Sequence, residues 1–578
     1  MAPEYDAIVV GGGPGGSTAA TLVAKRGGRV LLLEREHFPR YQIGESLLPS
    51  TTQIICRLLG VHQSLQAEGF TVKRGGTFQW GRDEEPWTFH FAQSSVTRSL
   101  GFVEALQVER SRFDELLLRN AADVGVQVRQ GATVHRVVRD DGRVSGVVWE
   151  DDEGVEHRAT ASWVVDASGH KSRLHPQVGK RHYSEFFRNC ALFGYYENGR
   201  RLAGEDAGNV LSVAFEDGWF WYIPLSPTLT SVGVVVDHHA AQELSGAEAM
   251  ERFVAKCPLI AEYLRDARRV TTGPYGKLRI RRDYSYCADR LAVPGMMLVG
   301  DAACFIDPVF STGVHAATYA GLLAARVVNT CRAGTVDEST CLAWFERRYR
   351  AEYAAQYKFL LGFYDMNASR DTYFWRARSV LGTQERDNDA FVRLVAGAGT
   401  TVSEFFGELE GAGRALHASV ARARGDRAAA DTGRAAFAVE RSEGSARDLV
   451  PTGWLNDPTR VHGANIPGSL IPTRDGLAWE RVAVPIILVE TTVLRATSVP
   501  SWERRTGDRG AEVFVRFGGV ELLFDTPDLV AFAEKLVHTP TFRADEARLW
   551  AAKGTFRWED VRRLLDDLVA EGVLEAVP

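Results

Sequence analysis

The stretch YDAIVVGGGPGGSTAATLV, six residues into which the chain turns from apolar to glycine-rich, constrains the fold more than any other. It sets Gly11, Gly13 and Gly16 in a G-x-G-x-x-G spacing directly behind an apolar strand and at the mouth of a helix. Gly11 allows the tight turn, Gly13 lets the backbone approach a pyrophosphate, and Gly16 lets the helix pack on the strand, while free amides at the helix start attract phosphate. Glu34 closes the next apolar run, GRVLLLE, placed to accept from a ribose hydroxyl. Strand, turn, helix and strand in this order predict an α/β, Rossmann-like nucleotide domain, because parallel strands need a crossover.

A later segment, VGDAACFIDPVFSTGVHAA, bears on which nucleotide binds. Gly300 and Asp301 end a strand and offer a carboxylate to a polyol, although Asp301 also reads as an ordinary helix N-cap. The turn STG, with Thr312 and Gly313, supplies a second amide-rich helix start. Two such anchors fit a ligand held at both ends, as FAD is.

Between these segments strand-like runs dominate from about 71 to 245, which reads as a mixed sheet inserted into the nucleotide fold. Within it stands DGWFWYIPLS. If this is a strand, Trp219 and Trp221 share one face and Phe220 and Tyr222 the other. Pro224 closes it, having no amide for a ladder. Taken alone, such a run reads as a buried strand.

At 578 residues the chain exceeds one ordinary core. The expected organisation is an FAD-binding core over 1–345, a helical extension over 346–415, a flexible Arg/Ala/Gly-rich linker over 416–450, and a winged-helix-like C-terminal domain over 451–578. The net charge of −6 gives no footprint for nucleic acid. Seven cysteines without a CxxC pair argue against a disulfide framework or zinc cluster, and no metal site is expected. The N-terminus resembles a first core strand rather than a signal peptide, and no apolar run reaches the ~20 residues that cross a bilayer. A cytoplasmic protein without a membrane partner is the expectation.

Taken together, Gly11–Gly16, Glu34, VERSRFDELL with Arg110, VVDASG from Val164 and GDAACFIDP from Gly300 resemble the flavin monooxygenase superfamily of the p-hydroxybenzoate hydroxylase fold. More narrowly, WFWYIP, FPRYQIGESLLPS and VKRGGTFQWG resemble the flavin-dependent halogenases, especially those acting on phenols, pyrroles or carrier-bound acyl groups, including the chloramphenicol-pathway type with its added C-terminal domain. The W-x-W-x-I-P motif falls on Trp219, Trp221, Ile223 and Pro224. The family lysine, in K-x-x-x-x-F-x-W-G, falls on Lys73, with Phe78 and Trp80 completing the spacing.

The resemblance implies that reduced FAD, oxygen and chloride or another halide yield hypohalous acid. Two indoles beside the flavin then keep an organic substrate away while admitting small species, and Lys73 holds or captures the oxidant near that substrate. It further implies halide binding at Thr312 and Gly313 and a flavin link at Asp283, for which a surface carboxylate paired with Arg281 or Arg282 is the simpler view. Arg40 and Arg110 read either as partners of FAD or as members of ion pairs. His315 and His170 read as packing residues. A separate flavin reductase is expected, and an acyl or peptidyl carrier protein bearing a phenolic substrate in natural-product biosynthesis. An aromatic hydroxylase of the same fold is the rival, and halogenation of an enolisable acyl group a third reading.

Overall fold

The computed structural model describes residues 3–364, 391–397, the strands Phe437–Arg441, Ile471–Pro472 and Trp479–Arg481, and 493–577. Within these ranges 82, 84, 95–96, 98–102, 185, 238–247, 283–284, 334–336, 393, 498, 508–509, 518–519, 525–526, 553 and 571–572 are excepted. Among the described residues no helix is long and apolar enough to cross a membrane, and no cluster of His, Cys, Asp and Glu could hold a metal. The chain divides into two compact units. Met1–Arg98, Phe102–Ala325 and Leu342–Gly399 form the first; Ser99–Gly101, Arg326–Cys341 and Thr400–Pro578 form the second.

The first unit is built on the nucleotide sheet predicted from its glycines. Tyr5–Val10 lies between Val30–Glu34 and Glu156–Asp166, parallel to both, with Ala7 opposite Val30 and Trp163. Ala7, Ile8 and Val9 are fully buried, as a central parallel strand covered on both faces requires. Helix Pro14–Ala24 crosses over, and a side chain at Gly16 would fall 1.9 Å from the Gly11 carbonyl oxygen.

The second sheet runs in the order Arg268–Arg269, Asn189–Glu197, Leu229–Asp237, Gly218–Pro224, Val210–Phe215, Gly75–Gln79, Trp87–His90. Its side chains alternate as anticipated. Phe220 and Tyr222 join Leu192, Val213 and Val234 in a core closed by Met250, Phe253 and Ile260. Trp219, Trp221 and Ile223 stand on the opposite face, with Phe193 and Tyr195.

The sheet expected over about 71–245 is interleaved rather than continuous. Helix Arg110–Asp123 and strands Gln127–Gln130 and Glu156–Asp166 return to the nucleotide domain. Alternating apolar residues mark a strand but not its partner. The expected boundary at 345 falls inside helix Glu338–Phe363. Most of the expected linker lies outside the described residues, but Phe437–Arg441 is a strand paired with Val520–Phe524.

In the second unit, helices Pro527–His538 and Trp558–Ala570 alternate with short antiparallel strands, Val493–Ala496 between Thr541–Arg543 and Leu574–Ala576. Phe532, Trp550 and Leu565 form its core. In the region read from the sequence as a winged-helix-like module, strands thus stand before, between and after the two helices.

Candidate active site

The nucleotide end follows from the glycine turn. Gly11 has φ +103°, where a side chain is strained, and a methyl on it would sit 2.5 Å from the Ala167 carbonyl oxygen. Gly13 precedes helix Pro14–Ala24, whose first amides receive no side-chain cap. Glu34, buried at its strand end, accepts from the Gly12 amide at 2.6 Å and the Glu36 amide at 2.9 Å. An uncapped helix start beside a fixed carboxylate fits the pyrophosphate and ribose of FAD.

Arg40 and Arg110 share Asp114, which is wholly buried. Arg110 donates to it through Nε at 2.7 Å and Nη2 at 2.8 Å, and Arg40 Nη1 lies 3.0 Å away. Arg40 is therefore ion-paired, and its Nη2 is 3.4 Å from where a Gly13 methyl would stand. Two guanidiniums on one carboxylate leave a net positive charge beside the phosphate turn. Arg110 also donates to the Ile43 carbonyl at 2.7 Å, and Asp114 raises its already high pKa.

Gly300 turns at φ +64°, and Asp301 pairs with Arg281 at 3.4 Å. Farther along, Ser311 adopts φ +61° just before helix Thr312–Ala333 opens. A side chain at Gly313 would lie 3.1 Å from the Phe305 ring. The first amides of a helix lack intrahelical acceptors, so this turn can bind an anion. Asp283 lies outside the described residues.

Trp219 and Trp221 stand side by side with ring centroids 6.2 Å apart. Trp219 donates its indole N–H to the Tyr364 hydroxyl at 2.7 Å, and Tyr364 donates to Asp307 Oδ2 at 2.8 Å. Burial pushes Asp307 up to about 6 despite the Val309 amide on its other oxygen. Asp307, the carboxylate that reaches Trp219 through Tyr364, lies five residues before Thr312. Trp221 donates to Ser231 Oγ at 3.3 Å and lies over Gly233, where a methyl would fall 2.2 Å from its ring. Ile223 continues the same face.

Lys73 ends strand Thr71–Lys73, which pairs with Ala105–Gln107; Ser46 in turn faces Gln107. Ser46 thus lies diagonal to Lys73, whose side chain reaches across to it. Lys73 Nζ, 3% exposed as a residue, donates to Ser46 Oγ at 2.9 Å and the Leu47 carbonyl at 3.2 Å, with the Phe91 ring centroid 5.7 Å away. It has no carboxylate within ion-pair distance among the described residues, and burial lowers its pKa to about 7.

Glu45 went unassigned in the sequence although it stands in FPRYQIGESLLPS. It is buried, accepts from Tyr195 at 2.7 Å, and Tyr195 exchanges a hydrogen bond with Tyr41 at 2.8 Å. Burial raises Glu45 to about 7, against the pull of Tyr195, Ser231 and Arg110. A lone charge within YQIGESLLPS was the available signal. The adjacent Gly44 would place a methyl 3.9 Å from Val314, so this loop borders the Thr312–Gly313 turn. A carboxyl half-protonated near neutrality at that position can hold or release a proton.

His315, read from the sequence as a packing residue, is buried between Ser50 Oγ at 2.8 Å and Glu352 at 3.5 Å. His170 is kept neutral, its pKa lowered to about 3 by burial and then by neighbouring cations.

Comparison with known proteins agrees with this assembly. The family model described as tryptophan halogenase matches residues 6–104 and 94–410. The tryptophan 2-halogenase of Chondromyces crocatus is 35% identical over 402 residues, 68% of this chain and 75% of the relative. Among solved structures, the myxobacterial chondrochloren halogenase CndH, described as a variant of FAD-dependent halogenases, aligns at TM-score 0.61 and 49% identity, covering 82% of this chain and 99% of that one. CmlS, a flavin-dependent halogenase, aligns at TM-score 0.59 and 26% identity over 99% of this chain and 96% of its own. A glycine turn opening an uncapped helix, a paired-indole face and a family match over most of the first unit lead to one conclusion: the chain belongs to the tryptophan halogenase family and is a flavin-dependent halogenase.

Proposed function

We propose that the enzyme transfers electrophilic halogen to an activated ring, a phenol first of all, presented on a carrier protein, with reduced flavin delivered by a separate reductase. Bound reduced FAD supplies the electrons with which oxygen converts halide to hypohalous acid. The chain does the rest. The Thr312 and Gly313 amides hold the halide, and Gly11, Gly13, Gly16, Glu34, Arg40, Arg110, Gly300 and Asp301 hold and orient the nucleotide. Trp219, Trp221 and Ile223 fill the space an organic substrate would need to reach the flavin. Glu45 holds a proton at its carboxyl near neutral pH. Lys73 captures the oxidant, by hydrogen bond as the ammonium or by nitrogen–halogen bond formation with loss of water as the amine.

The observation that carries this reading is Lys73: a buried cation whose hydrogen-bond partners among the described residues are a hydroxyl and a carbonyl is expensive to maintain, so burial keeps it poised between amine and ammonium. A structural lysine would be paired or would reach solvent. The carrier is supported by the resemblance to halogenases of carrier-bound substrates and by the added C-terminal unit. Aromatic hydroxylation is disfavoured by the indoles.

Lys73→Ala should bind FAD and consume reduced flavin at the wild-type rate while forming no organohalogen from free or carrier-bound phenols, followed by mass spectrometry. Undiminished product would remove Lys73 from the mechanism.

A further inference from the structure

Two cysteines that the reaction does not use face each other across a strand pair beside the Gly300–Asp301 corner. Tyr286–Ala288 runs antiparallel to Cys304–Phe305, with Cys287 opposite Cys304. The Ala288 amide donates to the Ala303 carbonyl at 3.0 Å, which makes those two the hydrogen-bonded couple. Cys287 and Cys304, one step along, therefore occupy the non-hydrogen-bonded register, in which opposite Cα atoms stand about 4.5 Å apart and side chains are closest. That separation lies within the range a disulfide spans.

Both thiols are free and hydrogen-bond each other. They are chemically unequal. The hydrogen bond from Cys304, and then the Arg350 guanidinium with Nη1 3.7 Å from the sulfur, hold Cys287 below the ordinary thiol value. Cys304 is buried and raised well above it, first by that shared hydrogen bond and then by burial. Cys287 is also the more accessible of the two. A partly exposed thiol biased toward its thiolate beside an arginine, facing a buried thiol biased the other way, is the arrangement of an attacking and a resolving cysteine.

We propose that Cys287 and Cys304 form a modification site for hypohalous acid made by the enzyme itself, becoming an intramolecular disulfide when the oxidant escapes Lys73. This rests on the reading that the active site releases hypohalous acid. The Cys287 thiolate attacks the halogen, so that a sulfur–halogen bond forms as the oxygen–halogen bond breaks and hydroxide departs. The Cys304 sulfur then attacks Cys287 sulfur and expels halide, and the Cys304 proton converts the hydroxide to water. The two sulfurs together lose two electrons and the halogen gains them. The bridge would fasten the segments on either side of Asp301 together without adding volume.

The test uses full-length holoenzyme turning over reduced FAD, oxygen and chloride without organic substrate, followed by alkylation, digestion and mass spectrometry. The expected result is a linked Cys287–Cys304 peptide pair, lighter by two hydrogens, in most chains, reversed by dithiothreitol. It should be absent without halide, when only peroxide is formed, and should appear after fewer turnovers in Lys73→Ala. Cys287→Ser should bind FAD normally and form no bridge.

Monochlorodimedone run in parallel reports hypohalous acid independently. Halogenated dimedone without the linked peptide would overturn the thiol site, as would equal bridging without halide. One equivalent of hypochlorite added to the resting holoenzyme separates the two readings. If it links Cys287 to Cys304 while the dimedone stays unreacted during turnover, the enzyme's own oxidant is excluded as the source. If it oxidises Cys331 and Cys341 instead, the pair has no special reactivity.

Discussion

Replacing Lys73 with methionine tests whether burial, rather than a partner, sets the state of its amine. In the unfolded chain this side chain titrates near 10.5 and in the folded protein near 7. Because the folded value is lowered, the folded state binds fewer protons between those limits, so stability rises with pH there. The penalty for burying the charge is complete below about pH 7 and vanishes above the unfolded value. Its slope approaches about 1.4 kcal/mol per pH unit. From pH 7 to pH 9 the wild type should therefore gain roughly 2 kcal/mol on this account alone. Methionine matches the length and lacks the charge, so the variant has no such term. It leaves Ser46 Oγ and the Leu47 carbonyl without their donor, a loss that does not depend on pH. The offset between the two proteins is thus less informative than its change. Calorimetry at fixed ionic strength should show wild type gaining a few degrees on Lys73→Met between pH 7 and pH 9. All other titrations are common to both and cancel. A melting-point difference that stays constant would mean that Lys73 is neither desolvated nor near neutrality, and the capture argument would lose its basis.

Two further substitutions address other parts of the site. Glu45→Gln carries the opposite sign: burial raises the folded value from 4.5 to about 7, so the charging penalty is complete above pH 7 and lost below the unfolded value. The variant should gain roughly 2 kcal/mol on wild type between pH 5 and pH 8, read as a melting-point shift, and a flat difference would show the carboxyl to be solvated. Gly233→Ala puts a methyl 2.2 Å from the Trp221 ring and should cost about 1–3 kcal/mol of stability through overpacking. Displacing that indole should also lower organohalogen formed per reduced flavin consumed and raise peroxide; unchanged coupling in a folded variant would show that Trp221 does not guard the flavin.

The parts of this architecture that were legible in the sequence are those whose signal is local. Three glycines between a strand and a helix carry their conformational demands within a few residues, and the two faces of WFWYIP follow from the period of a strand. Lys73 was found through its motif, but its lack of a carboxylate depends on Ser46 and Leu47, brought to it by pairing across a long loop. Glu45 was hidden because its meaning comes from Tyr195, 150 positions away. The interleaving of the two sheets was equally invisible, since Gly75–Gln79 pairs parallel with Val210–Phe215 and alternation names no partner. The cysteines looked scattered because only the register of Tyr286–Ala288 against Cys304–Phe305 makes two of them neighbours.

Asp307 has a consequence for how enzymes of this design can diversify. Through Tyr364 it suspends Trp219, and its own backbone leads in five residues to Thr312. Any remodelling that enlarges the anion's seat for a heavier halogen, if it shifts this carboxylate, drags the partition with it. On the proposed roles of Thr312 and Trp219, preference among halides and exclusion of carbon should then change together, so laboratory selection for one should return mutants altered in both.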